Sequence, residues 1–95
     1  MDKRRPTSIV KRSPGHLEDY DERKLYASIY ASCLSVRTPV GSAELTAARV
    51  CKDVLPWLKK KPEVTSLDIR LQAHEHFKIY NPDAAYMYLH HRIMA

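Results

Sequence analysis

Residues 9–29 read Ile-Val-Lys-Arg-Ser-Pro-Gly-His-Leu-Glu-Asp-Tyr-Asp-Glu-Arg-Lys-Leu-Tyr-Ala-Ser-Ile, and this stretch decides the fold. Ile9 and Val10 supply β-branched residues for a strand over 8–12. Ser13-Pro14-Gly15-His16 is strong turn chemistry, and a second extended segment follows over 16–20. Leu17 and Tyr20 differ in parity, so the alternation there is poor and a bulge is expected. Asp21 suits an N-cap, and Leu25 and Ile29 lie one turn apart on one face of a helix. The consequence is a cluster of cations. Lys11 and Arg12 leave the first strand, and Lys24 sits on the first turn of the helix. A hairpin and a helix N-terminus that aim three cations at one place suit a polyphosphate. The competing reading has all three facing solvent around a structural hairpin, and spacing alone does not separate the two.

Outward from this stretch, residues 1–7 form a basic arm, with Lys3-Arg4-Arg5 before Pro6. Helix one is expected over 21–36, with Leu25, Ile29, Cys33 and Val36 inward. Residues 37–41 break it. Ser42 is then expected to cap helix two, whose buried stripe is Ala47, Val50, Cys51, Val54 and Leu58. Pro56 should kink or shorten that helix, and Lys59-Lys60-Lys61 close it with cations suited to its negative end. Glu63-Val64-Thr65 is a candidate third strand. Ser66 is expected to cap helix three, which buries Ile69, Ala73, Phe77 and Tyr80. Asn81 caps helix four, with Pro82 first and Ala85, Tyr86, Leu89 and Ile93 inward. The expected architecture is α+β: a four-helix cluster capped by a small antiparallel sheet of two or three strands. The arm and residues 8–95, one domain, account for the whole chain.

Composition narrows the function classes. The 95 residues include 44% hydrophobic and 28% charged side chains, ordinary for a globular chain with one modest core. No apolar run approaches the ~20 residues that span a bilayer, and no apolar segment follows the basic start, so no membrane contact and a cytoplasmic location are expected. The net charge of +5 favours anionic partners, whether nucleotide phosphates, nucleic acid or an acidic protein surface. Cys33 and Cys51 fall on helices among apolar neighbours and read as buried free thiols. His74 and His76 diverge around a helix axis, as do His90 and His91, so no metal site is expected. With no phosphate-binding Gly-rich loop and no nucleophile elbow, no catalysis is expected either. Tyr26, Tyr30, Tyr86 and Tyr88 read as core or core edge.

The chain also resembles a known family. The order Val10-Lys11-Arg12, Gly15, Glu18, Tyr20, Asp21, Lys24-Leu25, Ser28-Ile29 and Cys33 is similar to the opening of the ATP-cone. A second block, Val64-Thr65-Ser66, Asp68-Ile69, Pro82, Ala85-Tyr86 and His91-Arg92, follows at the right separation. ATP-cones are small nucleotide-sensing domains at the N-terminus of many ribonucleotide reductases, and occur also in the repressor of reductase genes in bacteria. The resemblance covers residues 8–95. It departs in the longer turn at residues 13–16, in Arg70 where some reductase cones have His, and in lacking the Cys-x-x-Cys pairs of the repressor's zinc ribbon.

The resemblance implies an allosteric domain that binds ATP or dATP, with or without Mg2+, and controls a partner such as a ribonucleotide reductase. Lys11, Arg12 and Lys24 would hold phosphates, with Arg70 as a further contact. Val10, Leu25 and Ile69 would wall the adenine, and Glu18 and Asp21 would face the ribose or base edge. Ser66 would stand at a helix N-terminus that is itself an anion site. The implied partners are an adenine nucleotide and either a second copy or another protein acting in trans. The alternatives are a basic nucleic-acid-binding module using the arm, Lys11, Arg12 and Lys59 to Lys61, or an interaction module without ligand.

Overall fold

A computed structural model of the chain describes residues 8–10 and 17–90, the first nineteen positions by backbone alone where they are described. The elements are β1 (Ser8–Val10), β2 (Leu17–Asp19), α1 (Glu22–Ser35), α2 (Val40–Lys59), β3 (Glu63–Thr65), α3 (Ser66–Tyr80) and α4 (Pro82–His90). Helices make up 82% of the residues whose side chains are described, and that stretch holds one short strand.

The expected α+β class with an antiparallel cap is therefore corrected: the protein is mostly helical. The strands are three residues each and form a mixed ribbon in the order β2-β1-β3. β1 pairs with β2 antiparallel, Ser8 opposite Asp19 and Val10 opposite Leu17. It pairs with β3 in parallel, Ser8 beside Glu63 and Val10 beside Thr65. The cause is the path of the chain. α1 and α2 run out and back, returning the chain to the end where β2 stopped, so β3 starts beside Ser8 and must run with β1.

The helices build the core. α1 packs on α2 and α4, and α3 packs on the same two. Between them lie Leu25, Ile29 and Cys33 of α1, Ala43, Ala47, Val50, Cys51, Val54 and Leu58 of α2, Ile69, Ala73 and Phe77 of α3, and Ala84, Ala85 and Tyr88 of α4, with Val64 of β3. Burying a Leu, Ile or Phe contributes about 1.5–3 kcal/mol each, far more than any surface pair. Phe77 meets Tyr88 edge-on at 5.7 Å between centroids, locking α3 to α4.

The inward face of α4 differs from expectation. Tyr86 is 56% exposed and packs on the His90 ring at 4.3 Å. Ala84 and Tyr88 take the buried positions beside Ala85, and Leu89 is half-buried. Ile93 lies outside the described residues. Tyr80, also expected inward, is 37% exposed because its hydroxyl donates to Asp53 at the α2–α3 seam.

Helix ends explain the remaining differences. α2 begins at Val40, behind Pro39, and Ser42 is inside the helix rather than its cap. Proline fixes the φ that leads into a helix and needs no donor there, so α2 starts without a side-chain cap. α2 also runs through Pro56 to Lys59 and is not shortened by it. Thr65, not Ser66, caps α3: its Oγ1 accepts from the Asp68 N–H at 3.0 Å, and the Asp68 carboxylate accepts from the Thr65 N–H at 3.0 Å. Asn81 caps α4, accepting from the Ala84 N–H at 3.2 Å, and its side-chain amide donates to Thr38 Oγ1 at 3.0 Å. One residue thus ties the α3–α4 corner to the α1–α2 loop.

Candidate functional site

Of the residues singled out by sequence, those described lie on the ribbon and in the first two turns of α1 and α3. Val10 ends β1 beside Thr65, so the chain leaves β1 at the N-terminus of α3. Glu18 is the central residue of β2, opposite Ile9. Lys11 and Arg12 lie outside the described residues. Asp21 and Lys24 begin α1 from the other end of the ribbon. Three-residue strands separate the two ends by only about 7 Å, a distance comparable with the length of a lysine side chain.

Asp21 is committed to structure. Its Oδ1 accepts from the Arg23 N–H at 3.0 Å and from Arg23 Nε at 3.3 Å. Those two bonds from Arg23 hold its carboxyl below the usual aspartate range. Lys24 is exposed on the first turn, where its backbone N–H closes on the Asp21 carbonyl at 3.1 Å. The exposed Ser66 opens α3.

Leu25 and Ile69 occupy equivalent places, each one turn into its helix. At 6% and 7% exposure they are the least covered members of the core, all others being 3% or less. Both are nonetheless buried members of the core.

Arg70 has a structural task that the sequence did not disclose. Its Nη1 donates to the Tyr88 carbonyl at 2.9 Å, and its guanidinium lies 5.2 Å from the Tyr88 ring centroid. Part of its donor set therefore binds α3 to the end of α4, leaving the rest of the fork for other contacts.

Among the described residues the interior is sparsely polar, Ser32 being the buried polar residue. Tyr20 packs against the core, and its buried hydroxyl has no hydrogen-bond partner among the described residues. Burial first, then the nearby Cys51 and Glu22, raise its pKa. Burial pushes the Cys51 thiol up to about 12, and raises that of Cys33 as well. Both cysteines are free. Neither is a poised nucleophile, since reactivity belongs to the thiolate. Among the described residues no group of three His, Cys, Asp or Glu side chains is placed to hold a metal.

Sequence reasoning missed Thr65 and the unpartnered Tyr20 hydroxyl. The first had a signal, because Thr-x-x-Asp ahead of Ile69 is a capping-box pattern. The second had none; a tyrosine at a half-buried position gives no sign of where its hydroxyl ends.

Neither protein-family models, nor curated proteins, nor solved structures match this chain. Among the described residues no helix is long and apolar enough to cross a membrane.

Proposed function

We propose that the protein is an adenine-nucleotide sensor, similar in role to an ATP-cone, that binds ATP or dATP and alters the assembly or activity of a partner. A reductase subunit is the partner the resemblance implies, and the cytoplasm is the location. The observation that carries the reading is that Leu25 and Ile69, each one turn into its helix, are the least covered residues of the core. Two of the three side chains implied as adenine walls retain more exposure than the rest of the core, and an adenine slot needs apolar walls that a base can reach. The β1–β3 register adds support, because Lys11 and Arg12 follow Val10, which lies beside the N-terminus of α3.

Each residue then has a distinct task. Lys24 supplies a point charge to the phosphates from α1, with Lys11 and Arg12 as the charges that follow β1. Leu25 and Ile69 take the base. Asp21 positions Lys24 by holding the first turn of α1. Binding that favours one association state shifts the assembly by its differential affinity alone.

Calorimetric titration with ATP, dATP, ADP and GTP tests this. Stoichiometric heat with ATP or dATP, reduced at least tenfold in affinity by Lys24→Ala, supports the sensor. Ile69→Ala, in a variant whose thermal unfolding shows that it folds, should weaken binding of every adenine nucleotide, since the buried Ile69 is one of the two walls.

A further inference from the structure

The outward face of α2 is a cationic stripe. Arg49, Lys52, Lys59 and the C-cap Lys60 are all exposed and fall within an arc of about 100°, opposite the core residues Ala47, Val54 and Leu58. Lys61, also exposed, follows immediately. The arc holds no carboxylate. Of the two acids on α2, Asp53 turns into the seam with α3, accepting from the Tyr80 hydroxyl and lying 3.8 Å from His76 Nδ1. Glu44 stands on the α1 flank, near enough to raise the Tyr26 phenol after burial has done so. Two of the cations are held in place: Arg49 lies 5.8 Å from the Tyr80 ring centroid, and Lys61 is 5.5 Å from that of Trp57.

We propose that this face binds the phosphate backbone of a nucleic acid. Charge complementarity selects a polyanion, and the residue types select phosphate over protein. Lysine is depleted at protein–protein interfaces, where aromatic rings and arginine dominate, and here four of five cations are lysine. Among the described residues the exposed large apolar groups here are Leu45 on the arc and Tyr80 against Arg49, fewer than the five cations. Phosphate-backbone binding needs only cations at intervals on a rigid support. From Arg49 to Lys60 the helix rises about 16 Å, which spans about five phosphates along one strand of a duplex. Such binding is indifferent to base sequence and does not rest on the nucleotide site, which lies at the first turns of α1 and α3.

The test is fluorescence anisotropy of a labelled 20-base-pair DNA duplex between 50 and 200 mM NaCl, without nucleotide. The variant carries Lys52→Gln, Lys59→Gln and Lys60→Gln together; all three are exposed, so its melting temperature and its ATP titration should match the parent. The expected result is binding at 50 mM salt that the triple variant weakens at least thirtyfold. The slope of log affinity against log salt should become shallower by about 2 to 3 units. Absence of binding by the parent at 50 mM salt overturns the proposal. So does a triple variant with the parent's affinity and slope, which would assign any binding to other cations. A labelled polyglutamate peptide bound more tightly than the duplex also overturns it, in favour of an acidic protein surface.

Discussion

Arg37 is the one non-glycine residue with positive φ among those described, at 62°. It follows the C-cap Val36, and the N–H groups of Arg37 and Thr38 close on the carbonyls of Leu34 at 2.9 Å and Cys33 at 3.0 Å. This is a Schellman ending with arginine where glycine is favoured. Arg37→Gly should therefore raise stability by about 0.5–1 kcal/mol, read as a higher urea midpoint with unchanged slope. Tyr20 makes a second prediction. Its buried hydroxyl, without a partner among the described residues, costs desolvation with no bond in return, so Tyr20→Phe should stabilise by about 1 kcal/mol. A loss of similar size would mean that the hydroxyl is satisfied in solution.

The buried acids fix the alkaline limit. Cys51 rises from 9.0 to about 12, and Tyr88, buried against α3, rises from 10.0 to about 12. A raised pKa on an acid means that the fold favours the neutral form. Its stabilising contribution is complete below about pH 9 and falls away as the pH climbs toward 12, because the unfolded chain ionises first. Each group contributes a slope of at most about 1.4 kcal/mol per pH unit in that window. Urea midpoints at pH 7, 9 and 10.5 should fall in that order. Cys51→Ala should start lower at pH 7 yet decline less steeply.

At the scale of elements, the capping box and Pro56 make opposite predictions. Thr65→Ala removes the bond that starts α3 and should cost about 1 kcal/mol. Pro56→Ala restores the missing donor to the last turns of α2, and should gain about 2 kcal/mol after the loss of proline's stiffening of the unfolded chain. Thermal unfolding of both variants checks the pair. The inward stripes of α1, α2 and α3 were legible because Leu25-Ile29-Cys33, Val50-Val54-Leu58 and Ile69-Ala73-Phe77 repeat at helical spacing with polar residues between. α4 was not. In nine residues it carries two tyrosines and two alanines, and an amphipathic ring reads equally as core or surface. Strand direction was illegible for another reason: neither residue type nor parity records whether neighbouring strands run together or opposed. Only the return path through α1 and α2 made β3 parallel to β1.

For the whole molecule, the candidate site combines parts that the sequence disclosed to different degrees. Charge and order of residues pointed to Lys11, Arg12 and Lys24, and Lys24 is exposed at the start of α1. The residual exposure of Leu25 and Ile69 was invisible in the sequence, since both read as plain core positions on regular stripes. Arg70 looked free for phosphate and instead also holds the end of α4, a contact between residues 18 apart that periodicity does not encode. The account therefore stands on one claim, that Lys24 on the first turn of α1, Lys11 and Arg12 after β1, and the core residues Leu25 and Ile69 together take an adenine nucleotide. Isothermal titration of the full chain with ATP and dATP, beside the Lys11→Ala/Lys24→Ala variant, tests it most directly. The account predicts saturable, stoichiometric heat with the parent and none with the variant; a folded parent that releases no heat with either nucleotide would contradict it.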